Sequence, residues 1–334
     1  MRGMFVIDAD GHLLETDELL RRHLEEPYNN RPRLFPRDWW DRSMGGRLGK
    51  EVFDVETRLK DMDVEGIDVS VLFPTSGLSI GLVKEVGFAV ALARAYNNLV
   101  AEVCSRSPRL KAVALVPPQN LSEAVKEANR AVTGLGLVGV MLPAHGHMRN
   151  LGGPEFYPLY EECQRLKVPV TIHANSYGTE GTDRFDNFLA THIVSFPMEM
   201  LIQLTGVILG GIPELFPQLK MGFLEFGCGW LPYWIDRMDG EYEKRSSEAP
   251  LLKKTPGEYM LGGTIFYSVE PEESTIPYVV ERCGADVLLY ASDYPHWDMD
   301  YPESAEDIRK RATLSDEVKR KILGENAKRF YNLK

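Results

Sequence analysis

The chain has 334 residues, 49 acidic against 38 basic, and a formal net charge of −11. That acidity argues against nucleic acid or an anionic membrane surface as the main partner, since both repel it. Hydrophobic residues make up 44% and charged residues 26%, enough apolar content for one large buried core.

In chain order, short β-branched runs alternate with longer amphipathic stretches, the signature of repeated βα units. A first apolar run, 4–8, leads directly into Asp10-Gly11-His12. Segment 26–50, rich in Pro, Arg, Gly and Trp, breaks the alternation and reads as an insertion after the first strand, placed as a lid over a substrate. Strands are then predicted at 69–73, 112–116, 138–142, 168–173, 220–225, 264–267 and 287–291. Helices are predicted at 84–105, 121–133, 157–166, 191–209, 230–244, 272–283 and 303–312. The runs 112–116 and 287–291 are apolar on both faces, as strands of a parallel barrel must be. The expected fold is α/β, a single (β/α)8 barrel spanning 1–334. No linker or repeat divides it.

Three of these strands end at groups able to bind a metal: Asp10 and His12 after the first, His173 at the end of 168–173, and Asp293 after 287–291. Asp10 and His12 are two apart, so on a strand both side chains share one face. Strand ends so distant in sequence can meet only if the strands lie side by side and parallel, with the chemistry at the C-terminal rim of a barrel. An acidic residue leaving an apolar strand there must be paired or metal-bound to offset its desolvation. Ala174-Asn175-Ser176, small and polar, suits an open cavity beyond His173.

The four cysteines, Cys104, Cys163, Cys228 and Cys283, show no C-x-x-C spacing, which fits free thiols in a reducing compartment. No charged-then-apolar leader precedes the first strand, so the expected location is the cytoplasm. No apolar run approaches the ~20 residues of a membrane span, and 198–212 reads as a core helix.

Four stretches together resemble one family. They are Ile7-Asp8-Ala9-Asp10-Gly11-His12, Val170-Thr171-Ile172-His173, Leu289-Tyr290-Ala291-Ser292-Asp293-Tyr294-Pro295-His296, and the tail Ile322-Leu323-Gly324-Glu325-Asn326-Ala327-Lys328-Arg329-Phe330-Tyr331. The chain is similar to the amidohydrolase superfamily, in the branch called amidohydrolase family 2, related to aminocarboxymuconate semialdehyde decarboxylase. The resemblance implies a distorted (β/α)8 barrel whose divalent metal is bound by Asp10, His12, His173 and Asp293. Asp10 stands where that family often has His or Glu. Decarboxylases of the branch carry a His on the sixth strand; here Glu225 takes that place.

The expected activity is metal-dependent hydrolysis or non-oxidative decarboxylation of a small carboxylate, ester, thioester or amide, through a metal-activated water. Zinc or manganese is the expected ion. Asp293 would accept the proton of the attacking water, and Glu225 or His296 would move protons to the product. Without a sixth-strand His, hydrolysis fits better than decarboxylation. His192, shortly after the fifth strand, is a candidate second-metal ligand. Glu15, Glu56, Glu225 and His296 are further donors expected to face the mouth, although Glu15 also reads as a carboxylate helping Thr16 start a helix. A dinuclear iron or manganese oxygenase is therefore the first alternative. A non-catalytic, metal-stabilised subunit of a hetero-oligomer is the second. Trp39, Trp230 and His145 are candidate substrate contacts, while core or interface packing is the plainer reading of the tryptophans. A homodimer or larger oligomer is expected.

Overall fold

The structure, a computed structural model, describes residues 3–36, 54–146, 149–175 and 181–334. Eight strands form one sheet in sequential order: β1 (Ile7–Leu13), β2 (Val69–Pro74), β3 (Leu110–Leu115), β4 (Gly139–Pro143), β5 (Val170–His173), β6 (Met221–Leu224), β7 (Ile265–Val269) and β8 (Leu288–Tyr290). All seven ladders are parallel. Backbone hydrogen bonds bridge the remaining seam: Asp293 N donates to Asp10 O (3.0 Å) and His12 N to Tyr294 O (2.8 Å). The result is a (β/α)8 barrel, closed where its first and last strands present their motifs.

The strands are followed in turn by α1 (Val55–Glu65), α2 (Val86–Ser105), α3 (Leu121–Leu135), α4 (Tyr157–Leu166), α5 (Phe188–Leu209), α6 (Leu231–Arg245), α7 (Ile276–Cys283) and α8 (Ser304–Lys310). Local chemistry sets their ends. The Asn120 side chain accepts from Glu123 N to start α3, and Gly136, at φ 75°, ends it in the left-handed conformation that glycine adopts without strain.

Two expectations change. The first strand was predicted at 4–8, ahead of its metal-binding pair, yet β1 runs through Asp10 and His12 with every residue buried. Polar residues that read as an exit from the strand are inside it, facing the barrel interior. The second change is α1, which was not predicted. Its buried residues are Arg58, Met62 and Glu65, so the apolar stripe that betrays a helix is mostly charged.

Of the proposed lid at 26–50, residues 37–50 lie outside the described residues, Trp39 among them. α5 also exceeds its expected length. Its 22 residues are long and apolar enough to cross a membrane by length and composition, and half of its most apolar stretch is buried inside the fold.

The tail motif seals the N-terminal end of the barrel. Tyr331 OH donates to Ala9 O (2.8 Å), and Asn326 Nδ2 donates to Ala285 O (2.6 Å) and Leu288 O (2.8 Å). The Phe330 ring packs so closely on Gly222 of β6 that a Cβ there would sit 2.6 Å from it. The family signature in this segment is therefore packing.

Candidate metal centre

At the C-terminal rim the structure gathers the groups expected from the sequence. Asp10 and His12 come from β1, His173 ends β5, Glu225 follows β6, and Asp293 and His296 follow β8. His173 Nε2 lies 3.3 Å from Asp10 Oδ2 and 3.1 Å from Glu225 Oε2. His12 Nε2 lies 3.6 Å from Asp10 Oδ1 and 3.8 Å from Glu225 Oε2. His296 stacks on His12 with ring centroids 3.9 Å apart and turns Nδ1 toward Glu225 Oε1, 3.6 Å away. Two sets of donor atoms are each close enough to share one ion: Asp10, His12 and His173, and His12, Glu225 and His296.

The two central histidines are oriented from behind. His12 Nδ1 sits 2.9 Å from Pro74 O, and His173 Nδ1 sits 2.7 Å from Ala174 O. A carbonyl only accepts, so each Nδ1 carries a proton and each Nε2 is the nitrogen left facing inward. Among the described residues, those nitrogens, both Asp10 oxygens, Glu225 Oε2, Asp293 Oδ1 and His296 Nδ1 are buried and make no hydrogen bond. Buried polar atoms normally find partners, and seven such atoms gathered at one rim of the barrel fit a divalent cation. Carboxylate oxygen with imidazole nitrogen suits zinc or manganese alike.

The electrostatics agree. Burial pushes Asp10 up to about 6, with Glu225 and Asp8 adding to it against the pull of His173. Burial alone would lower His173, but the Asp10 and Glu225 carboxylates outweigh it and hold the ring up at about 9. Burial, together with His296 and His173, drives His12 well below the usual range and keeps it neutral. Burial, Glu270, Glu225 and Asp10 all push Asp293 well above the usual carboxylate range. A divalent cation would compete with the protons that these carboxyl and imidazole groups hold.

Two backbone features aim these groups. Glu225 (φ 58°) and Asp293 (φ 50°) both adopt the left-handed conformation, which non-glycine residues rarely occupy and which clusters at functional sites. Glu225 N is held by Ser268 Oγ at 2.8 Å.

A second ionic network lies directly behind β1. Arg58, from α1, donates from Nη2 to Asp8 Oδ2 (3.1 Å) and Ser70 Oγ (2.6 Å), and from Nη1 to Tyr294 O (2.8 Å). Its guanidinium lies 4.3 Å from the Tyr294 ring centroid. Asp8 Oδ1 in turn accepts from Ser292 N (3.0 Å) and Asp10 N (3.3 Å). Arg58 thus ties β1, β2 and β8 together beneath the donor set. Gly11 has no side chain because a Cβ there would lie 2.3 Å from Arg58 Nη2 and 2.5 Å from Asp8 Oδ2. Sequence reasoning missed Arg58, although the glycine inside Asp10-Gly11-His12 hinted at a close neighbour.

Other expected residues fall elsewhere. His192 belongs to neither donor set. Its Nε2 lies 3.5 Å from Asp298 Oδ2, and its ring packs among Phe188, Phe196 and Trp297. Asp293, expected as a ligand, is also outside both sets and stands beside them, with its N–H on Asp10 O. Glu56 is exposed on α1. Trp230 stacks on Phe226 and meets Tyr267 edge-on, so it packs where a substrate contact was expected. His145 is buried after β4, its backbone carbonyl against Gly81. Asn175, expected to line an open cavity, is buried and donates to Leu78 O (2.8 Å). Glu15 starts no helix. It is buried and accepts from Thr75 N (3.0 Å) and Gly77 N (2.7 Å), and burial lifts it to about 7 against those two bonds.

A parallel barrel with convergent, unpartnered nitrogen and oxygen donors at its C-terminal rim defines a metal-dependent enzyme. A family model described as amidohydrolase matches residues 7–333, and the chain belongs to that family. Among its relatives, 2-amino-3-carboxymuconate-6-semialdehyde decarboxylase of Dictyostelium discoideum is 26% identical over 86% of this chain and 80% of its own. Gamma-resorcylate decarboxylase of Rhizobium radiobacter is 26% identical over 89% of this chain and 92% of its own. The crystal structure of a dihydroxybenzoic acid decarboxylase from Polaromonas sp. JS666, with bound manganese and an inhibitor, superposes with a TM-score of 0.79. It is 20% identical and covers 100% of this chain and 98% of that one.

Proposed function

We propose that this protein is a metal-dependent, non-oxidative decarboxylase of a small aromatic or unsaturated carboxylate. The observation that carries this reading is Glu225. The expectation of hydrolysis rested on a missing sixth-strand histidine, yet Glu225 Oε2 stands 3.1 Å from His173 Nε2 and occupies the sixth-strand place with a competent donor. With that gap closed, the decarboxylases among the relatives weigh toward loss of CO2.

Asp10, His12, His173 and Glu225 are the residues that would hold one divalent ion, zinc or manganese. Both donor sets need His12, which has a single free nitrogen because Nδ1 serves Pro74; this favours a mononuclear centre over a dinuclear one. When bound, the ion supplies a positive anchor for the substrate carboxylate and an adjacent oxygen. Asp293, beside the donors, delivers a proton to the carbon bearing the carboxylate. The C–C bond then breaks, its electron pair stays with the substrate, and CO2 leaves. His296, with Nδ1 toward Glu225 Oε1 (3.6 Å) and Nε2 on Thr75 Oγ1 (3.1 Å), passes protons between that carboxylate and that hydroxyl.

A cytoplasmic location is supported by the four free cysteines, two of them buried. A homodimer is supported by the outer face of α5, where Met198, Ile202 and Leu209 are exposed and apolar; sedimentation would report its mass.

The test is incubation of the manganese- or zinc-loaded protein with hydroxybenzoates and unsaturated dicarboxylates in D2O. Release of CO2 with one deuterium at the vacated carbon is expected. Cleavage of esters, thioesters or amides without CO2 release would overturn the reading.

A further inference from the structure

Glu15 lies three residues beyond His12 and carries no assigned role, yet it is a carboxylate only 4% exposed. Both of its oxygens are committed to the turn that follows β2, one on Thr75 N (3.0 Å) and one on Gly77 N (2.7 Å). Burying a carboxyl is costly, and main-chain donors alone do not require one at this place. The residue it holds explains the cost. Thr75 Oγ1 lies 3.1 Å from His296 Nε2, the nitrogen that faces away from the donor set. The other nitrogen, Nδ1, faces Glu225 Oε1 at 3.6 Å, and the ring plane is stacked on His12. Glu15, Thr75, His296 and Glu225 form one continuous line from the first βα loop to the sixth strand.

We infer that Glu15 is a positioning residue: by fixing the backbone of Thr75 it places the hydroxyl that holds His296 Nε2, and so keeps Nδ1 aimed at the acceptor-only carboxylate of Glu225. Imidazole has two distinct nitrogens: the Thr75 hydroxyl fixes how the ring is turned, and a proton on Nδ1 is favoured only while that nitrogen faces the Glu225 carboxylate. Glu15 belongs to neither donor set, and both of its oxygens are taken by main-chain N–H groups. It acts through Thr75, and the arrangement makes the hydroxyl, not the methyl, of Thr75 the feature that matters.

The assignment rests on the proton-carrying role given above to His296, and its test does not depend on finding the substrate. The zinc-loaded full chain, labelled with 15N-histidine, reports the tautomer of each ring through its two nitrogen shifts, and H296N identifies the signal. The wild-type ring should show one tautomer. Thr75→Val and Glu15→Gln should both shift it toward a mixture, whereas Thr75→Ser should retain the wild-type pattern and zinc content should stay unchanged in all. An unchanged His296 signal in Thr75→Val would overturn the inference, even if Glu15→Gln fails to fold. On whichever substrate the protein turns over, Thr75→Val and Glu15→Gln should lower kcat by about 10- to 100-fold with KM unchanged, within the range of acid–base effects. Neither should lower it further in H296N, because the effect passes through that ring. Additive losses in H296N would mark Glu15 as part of the scaffold only. If no carboxylate is decarboxylated, the proposed reaction fails while the tautomer measurement still decides the role of Glu15.

Discussion

Two buried clusters of charge lie back to back on β1, and they differ in one respect. Behind the strand, the Asp8 oxygens and the Arg58 terminal nitrogens have partners, leaving only Arg58 Nε without one. In front of it, Asp10, His12, His173, Glu225, Asp293 and His296 aim seven polar atoms at each other with no hydrogen bond among them. Desolvation penalises both clusters alike. The rear cluster recovers that cost within the protein and holds the fold together. The front cluster recovers it only when something else binds, which is what distinguishes a site from a scaffold.

Substitutions should separate the two. The largest effect is expected at the front: Asp293→Asn or His173→Ala should cut turnover by a factor of about 10³ or more while the melting transition stays cooperative, as activity assays and calorimetry would show. An active, metal-replete Asp293→Asn protein would remove Asp293 from the mechanism. At the rear, Arg58→Ala should destabilise by about 3–5 kcal/mol in urea titrations, because Asp8 is left as an uncompensated buried charge. Gly11→Ala inserts a methyl against Arg58 and Asp8, and about 1–3 kcal/mol should be lost to overpacking.

The front cluster should also answer to pH. Protons on Asp10, held up to about 6, and on His173, held up to about 9, compete with a cation. Metal affinity should therefore rise as pH rises from 5 to 9, with proton release that calorimetry in buffers of different ionisation enthalpy would count. Affinity independent of pH would detach these residues from the metal. The smallest effect concerns His192→Ala, which should leave metal stoichiometry unchanged, since its imidazole sits with Asp298 among aromatic rings. A halved metal content would restore the dinuclear alternative.

Much of this was legible in the chain. Strand periodicity and turn chemistry are local properties, so they pointed to the barrel, and the ligand types at three strand ends pointed to its rim through Asp10, His12, His173 and Asp293, whereas Glu225 was noticed only through the family resemblance. Other features were not local. Arg58 sits on a helix whose buried face is charged, and its meaning comes only from Asp8, Ser70 and Tyr294, which lie up to 236 residues away. His192 carries a ligand-type side chain at a plausible spacing, yet the fold places its ring with Asp298 and three aromatic rings, outside both donor sets. Glu15 looked like a helix-starting carboxylate until the turn after β2 was folded against it. Residue types and their periodicity determine which chemistry a chain can perform. Which of those side chains are satisfied, and which are left facing a common point, depends on contacts that exist only once the barrel has closed.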